Sequence, residues 1–188
     1  MGSSSAKLTY ADLVALPEDG LRHELIDGEH YVSPSPTTRH QIVLGNLFRV
    51  LDGFVRQQGL GLVLFAPVDV FLSESDILVP DLVYVAKERL ALVEKPYIRG
   101  APDLVVEVLS PSTLKRDTGV KRRCYEEFGV AEYWIVAPDL ETVEVFRQAV
   151  SRDGLRQVAE LCRAFGDGPL VSPLFPGLAL SLDQLFDY

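Results

Sequence analysis

Apolar positions recur along this chain with two different periods, and each period predicts a different element. Over residues 37–58, Ile42, Val43, Leu47, Val50, Leu51, Phe54 and Val55 fall at helical spacing, and Gly59 supplies a stop. Runs 62–72, 77–85 and 104–109 are instead dense in Val, Leu, Ile and Phe and bounded by Gly, Pro or Ser, the pattern of strands at the centre of a sheet. A helix is predicted over 112–128 with Gly129 behind it, followed by strands over 132–136 and 142–147. Upstream, 10–16 reads as a short helix capped by Thr9 and stopped by Pro17. Runs 22–26 and 29–33 flank Asp27-Gly28, a strong hairpin signal. An edge strand over 155–161 and a short helix over 181–186 complete the reading. This order implies an α/β fold: a mixed central sheet flanked by helices, with an N-terminal helix and hairpin. No repeat, low-complexity block or long linker divides the chain, so one domain is expected over 1–188, with 1–8 a disordered leader.

Composition narrows the class. The 188 residues are 47% hydrophobic and 24% charged, enough for a sizeable core. A net charge of −9 argues against a surface coated in nucleic-acid-binding charge, so any phosphate contact must be local. Two cysteines without CxxC spacing suit a reducing cytoplasm, and no apolar run is long enough for a membrane helix. No P-loop or dinucleotide glycine pattern calls for an organic cofactor. His23, His30 and His40 with two distant cysteines make no zinc site, and Cys124 has no histidine near it in sequence to make it a nucleophile.

The chemistry concentrates where carboxylates interrupt apolar runs. An ionised acid inside such a run costs several kcal/mol unless a cation or donors offset it, although an acid at a strand end can simply touch solvent. Asp103 and Glu107 stand four residues apart on one strand, roughly 13 Å, too far to share an ion. Asp81 and Glu107 belong to separate strands that can pair, and together they form a candidate divalent-metal site. Behind Glu107, Asp117, Lys121 and Tyr125 are spaced i, i+4, i+8 on a helix. That stripe is open to two readings, an ordinary helical ion pair or an ammonium aimed at the metal.

These residues carry a resemblance. Pro80-Asp81, Glu107 in Val-Val-Glu-Val-Leu-Ser-Pro-Ser-Thr, then Asp117, Lys121, Tyr125 and Gly129-Val-Ala-Glu-Tyr-Trp-Ile-Val136 resemble the Uma-two family of restriction-type endonucleases, within the PD-(D/E)XK nuclease superfamily. The likeness takes in Glu24-Leu-Ile-Asp-Gly-Glu29, Ser33-Pro34 and His40, and so spans about residues 22 to 137. It implies a restriction endonuclease-like core and Mg²⁺-dependent hydrolysis of DNA phosphodiesters, with Mn²⁺ as a substitute. Asp81 and Glu107 match the metal-binding acids. The superfamily lysine belongs two residues after the second acid, where this chain has Leu109; the resemblance implies that the amine comes from the following helix, as Lys121.

In that chemistry the ammonium of Lys121 orients water or holds the scissile phosphate, since acting as a base would need a much lowered pKa. Tyr125, Asp117, Glu24 and His40 are supporting candidates for the same cleft, although a lone histidine near a helix start is more often structural. Lys115, Arg116, Arg122 and Arg123, with Lys121, form the densest basic run, either a nucleic-acid contact or a solvated helix face paired with Glu126 and Glu127. Trp134 is expected in the core. Cutting two strands with one site per chain predicts a homodimer. Glu107→Ala and Lys121→Ala are expected to abolish cleavage and leave the fold intact. The rival reading is a noncatalytic module that kept the fold and binds nucleic acid or protein, favoured by Leu109 and by the net acidity.

Overall fold

The computed structural model of the chain describes residues 6–150, 156–164 and 168–187, the side chains of 149–150 and 156–164 excepted. The first helix, α1 (Tyr10–Val14), starts at Thr9, whose N–H and hydroxyl both donate to the Asp12 carboxylate. Strands β1 (Arg22–Ile26) and β2 (Glu29–Ser33) form the expected hairpin. Asp27 (φ 54°) and Gly28 (φ 75°) both adopt the left-handed conformation that a two-residue turn of this hand requires. A side chain on Gly28 would also collide with Lys7. Lys7 pairs with Asp27 and the Leu8 N–H donates to the Gly28 carbonyl, so the expected leader is already structured at these residues; residues 1–5 lie outside the described set.

Helix α2 (Thr38–Gln58) runs as the periodicity predicts, capped by Thr37 and ended by Gly59 in the left-handed conformation. Two of the predicted strands are each broken in two. Run 62–72 divides into β3 (Gly61–Phe65) and β4 (Val70–Ser73), and run 77–85 into β5 (Asp76–Leu78) and β6 (Leu82–Ala86). The breaks fall at Pro67 and Pro80, which bring no N–H to a ladder. After β7 (Ile98–Arg99) and β8 (Leu104–Val108), helix α3 (Leu114–Arg116) passes through a π turn, Asp117–Lys121, into α4 (Arg122–Phe128). Strands β9 (Glu132–Ala137), β10 (Thr142–Val150) and β11 (Arg156–Ala164) and helix α5 (Leu182–Phe186) follow.

Splitting those strands yields two sheets in place of one. The larger has the order β11-β10-β9-β8-β6-β3, antiparallel except for the parallel β8·β9 pair; the smaller has the order β2-β1-β5-β4-β7. Alternation assigns the faces of the larger sheet. Leu82, Tyr84, Leu104, Val106 and Trp134 pack with Val43, Leu47, Leu51 and Val55 of α2. Val83, Val85, Val105, Tyr133 and Ile135 point the other way, onto Cys124 and Tyr125 of α4. Each fully buried Leu, Ile or Val contributes about 1.5–3 kcal/mol to holding these layers together. Among the described residues, no helix is long and apolar enough to cross a membrane.

Candidate functional site

Strand register delivers the two acids to one place. On the antiparallel β6·β8 pair Leu82 faces Val106, so Asp81, one residue earlier, faces Glu107. By parity Glu107 shares a face with Val105 and points to the side covered by α4, whereas Asp81, just before β6, has its carboxylate at the end of the ladder, where His40 of α2 and the Val108 N–H reach it. Leu109, the other same-face residue, packs into the apolar layer there. Pro80 releases the chain from the smaller sheet immediately before Asp81, which places the acid where the two sheets meet. Both carboxylates line an open cleft of about 250 Å³, with Arg22, His40, Arg116, Asp117 and Lys121 among the other lining residues.

Asp81 is held by three donors. Its Oδ2 accepts from His40 Nε2 at 3.0 Å and from the Val108 N–H at 2.9 Å, and its Oδ1 accepts from Arg22 at 2.9 Å. His40 reaches it because the Thr37 cap, accepting the His40 N–H at 3.2 Å, fixes the first turn of α2 against the cleft. Burial alone would raise the Asp81 pKa, but His40, Arg22 and the Val108 N–H hold it down at about 2. The Nδ1 atom of His40 is buried without a hydrogen-bond partner.

Glu107 is placed differently. Its Oε1 accepts from Lys121 Nζ at 2.8 Å and from the Tyr125 hydroxyl at 3.2 Å. Lys121 is only 2% exposed, and it also meets Glu24 at 2.7 Å and Asp117 at 3.8 Å. One ammonium therefore serves three buried carboxylates. Burial, together with repulsion from Asp117, Asp81 and Glu24, pushes Glu107 well above the usual carboxylate range despite Lys121. Burial alone would lower Lys121, but Glu107, Glu24 and Asp117 reverse this and hold the ammonium charged. The π turn is what aims the side chain: both Asp117 and Lys121 are buried within it, a local widening of the helix often found at functional positions. Glu24 is anchored from the far sheet, its Oε1 accepting the Val79 N–H at 2.8 Å.

The structure thus brings together Asp81, Glu107, Lys121, Tyr125, Asp117, Glu24 and His40. The basic run is dispersed. Arg116 turns inward, 3.5 Å from Glu24 and over the Tyr31 ring, Arg122 lies over the Phe146 ring, and Arg123 lines a separate groove with Asp27, Glu29 and Glu127. Lys115 stays exposed. Arg22 was not foreseen, because its partner is 59 residues away and no local rule links them; the only signal was its place two residues before Glu24 on the same strand face.

Two acids directly opposite one another, beside more negative charge than the local cations balance, form a donor set that fits a divalent cation. Four carboxyl groups (Glu24, Asp81, Glu107 and Asp117) meet three full cations (Arg22, Arg116 and Lys121), and the pKa of Glu107 is raised first by burial and then by the neighbouring acids. Asp81 and Glu107 are the pair that would hold the ion, since both line the cleft and stand opposite each other at the ends of β6 and β8.

Comparison with known proteins agrees with this fold. No curated protein matches the chain. A crystal structure titled as a "putative nuclease belonging to DUF820", from Anabaena variabilis ATCC 29413, superimposes with a TM-score of 0.78 at 23% identity, covering 95% of this chain and 97% of that one. The family model Uma2, "Putative restriction endonuclease", matches residues 10–183. With the match running over nearly the whole length, including every residue gathered at the cleft, this chain belongs to the Uma2 family.

Proposed function

We propose that this protein is a Mg²⁺-dependent endonuclease that hydrolyses DNA phosphodiester bonds, with Asp81 and Glu107 as the metal-holding acids and Lys121 as the catalytic ammonium. The observation that carries the reading is the convergence of two in-register carboxylates and a buried lysine from the following helix on one open cleft. A divalent cation bound between the acids would make a coordinated water nucleophilic at neutral pH and neutralise charge on the phosphoryl oxygens.

The protein's own groups do the rest. His40 and the Val108 N–H fix Oδ2 of Asp81, while Oδ1 is paired with Arg22. Lys121 remains protonated, so it acts as a hydrogen-bond donor and positive charge at the scissile phosphate, stabilising charge that develops in the transition state. Glu24 and Asp117 set the direction of that ammonium, and the Tyr125 hydroxyl steadies Glu107. Lys115 and Arg123 are the members of the basic run that stand exposed. We further propose a single domain acting as a homodimer in the cytoplasm, because one site per chain cuts one strand and the buried free thiol of Cys124 suits a reducing compartment.

Plasmid nicking in Mn²⁺, paired with calorimetric Mn²⁺ titration, tests the assignment. Wild type is expected to nick and to bind Mn²⁺, Asp81→Ala to lose the binding heat, and Glu107→Ala to lose cleavage. Equal heats in wild type and Asp81→Ala would remove the metal site. In that event the noncatalytic module is the better reading, which the engagement of Asp81 by Arg22 and the apolar Leu109 already favour.

A further inference from the structure

Arg22 holds one of the two Asp81 carboxylate oxygens. Its guanidinium lies 2.9 Å from Asp81 Oδ1, while the other Asp81 oxygen is taken up by His40 and the Val108 N–H. A cation ligated by Asp81 must therefore use the oxygen that Arg22 holds, and two positive groups on one oxygen repel each other. The two partners are unequally fixed: the Asp81 side chain is 4% exposed and the Arg22 side chain 23%. Arg22 is the first residue of β1 and follows the exposed turn residues Gly20 and Leu21, so its long side chain has room to swing outward where Asp81 has none. A guanidinium freed at the rim of the cleft presents a planar fork of donors that matches two phosphate oxygens.

Resting on the metal-site reading above, we infer that Arg22 is an internal counter-ion of Asp81, which the metal displaces and which then binds the DNA phosphate entering the cleft. The apo site is thereby held with its acid neutralised, and metal loading and phosphate binding become coupled through one side chain. Loading the metal releases the phosphate ligand, and phosphate binding keeps Arg22 from returning to Asp81.

Mn²⁺ titration by calorimetry on wild type, Arg22→Gln, Arg22→Lys and Asp81→Asn tests the coupling, with DNA binding followed by fluorescence anisotropy in Ca²⁺. Arg22→Gln is expected to bind Mn²⁺ at least tenfold more tightly than wild type and DNA roughly tenfold more weakly. Arg22→Lys, which keeps the charge but not the fork, falls between them in metal affinity and provides a folded comparison if Arg22→Gln is unstable. Metal binding that is unchanged or weaker in both Arg22 variants, yet lost in Asp81→Asn, overturns the role of Arg22 and leaves the metal site standing. Equal binding in wild type and Asp81→Asn overturns the metal site, and the role of Arg22 with it.

Discussion

Glu107 and Glu132 are buried glutamates on adjacent parallel strands, 3% and 2% exposed, and their surroundings could hardly differ more. Glu132, at the start of β9, has donors on both oxygens: Oε2 accepts from Trp134 Nε1 at 2.7 Å and Ser172 Oγ at 2.9 Å, and Oε1 from Arg147 Nε at 2.8 Å. Glu107, near the end of β8, shares one ammonium with Glu24 and Asp117 and faces Asp81 across the ladder. A protein interior satisfies a buried acid fully when the acid's task is to hold parts together. On the proposed metal-site reading, an acid is left short of positive charge where another cation is to come. The strain is electrostatic, and it lies at the end of the strands that opens on the cleft.

The largest expected effect separates the two acids by activity. Glu107→Ala is expected to reduce Mn²⁺-dependent plasmid nicking to background, whereas Glu132→Ala keeps the wild-type rate per folded molecule and loses stability instead, by about 3–5 kcal/mol, because it leaves Arg147 without its buried acid. Gel assays normalised to folded protein, with urea unfolding, read both. Nicking that survives Glu107→Ala would erase the distinction.

Next in size is the stability cost of Lys121→Ala, and here the structure corrects the expectation that the fold would be untouched. Removing an ammonium that is 2% exposed leaves Glu24, Glu107 and Asp117 facing one another. A loss of about 3–5 kcal/mol in urea unfolding is expected. Lys121→Ala combined with Glu24→Gln removes one of the stranded charges and should recover part of it. An unchanged midpoint in the single variant would mean that the three acids do not depend on Lys121.

How far this site could be read from the chain depends on whether its contacts follow local periodicity. Asp81 and Glu107 were legible because each interrupts an apolar strand, and the i, i+4 spacing pointed to Lys121. The expectation of a regular helix there missed the π turn over 117–121, within which Asp117 and Lys121 are buried. The division of 62–72 and 77–85 between two sheets was carried by Pro67 and Pro80, which strand composition outweighed. Arg22 and the inward turn of Arg116 depend on where the hairpin docks, a tertiary event with no local pattern. Trp134 is in the core as expected, and alternation puts it on the same face as Glu132, two residues earlier, to which its indole N–H donates.

The acids should also differ in how stability responds to pH. Asp81 is lowered from 3.8 to about 2, so its contribution is complete above pH 3.8 and is lost as pH falls through 2. The magnitude is about 2 kcal/mol at neutral pH. Glu107 is raised above 4.5, so its ionisation costs the fold increasingly as pH climbs past 4.5. Unfolding titrations of Asp81→Asn should therefore show a smaller acid limb than wild type, the remainder coming from other lowered carboxylates such as Asp12 and Asp19. The stability of Glu107→Gln relative to wild type should rise with pH above 4.5. A flat difference in the Glu107→Gln series would show that its neighbours compensate it as fully as those of Glu132 do.

The smallest effect is the sharpest control, because it changes one hydroxyl on each side. Tyr125→Phe removes the donor 3.2 Å from Glu107 Oε1, and Ser172→Ala removes the donor 2.9 Å from Glu132 Oε2. Each deletes a single hydrogen bond to a buried glutamate, worth about 1.5–3 kcal/mol at most and less where the remaining donors absorb the charge. The stability losses should be alike, near the low end of that range. Function should not be alike. Without the phenol, Glu107 keeps Lys121 as its remaining donor and is held less firmly, so nicking should fall severalfold and the pH at which it sets in should move upward. With Ser172 gone, Glu132 retains Trp134 and Arg147, and both the rate and its pH profile should stay as in wild type. Equal rates in the two variants would mean that the cleft glutamate is as firmly built into the fold as its neighbour on β9, and that the charge imbalance beside it is not tuned for a reaction.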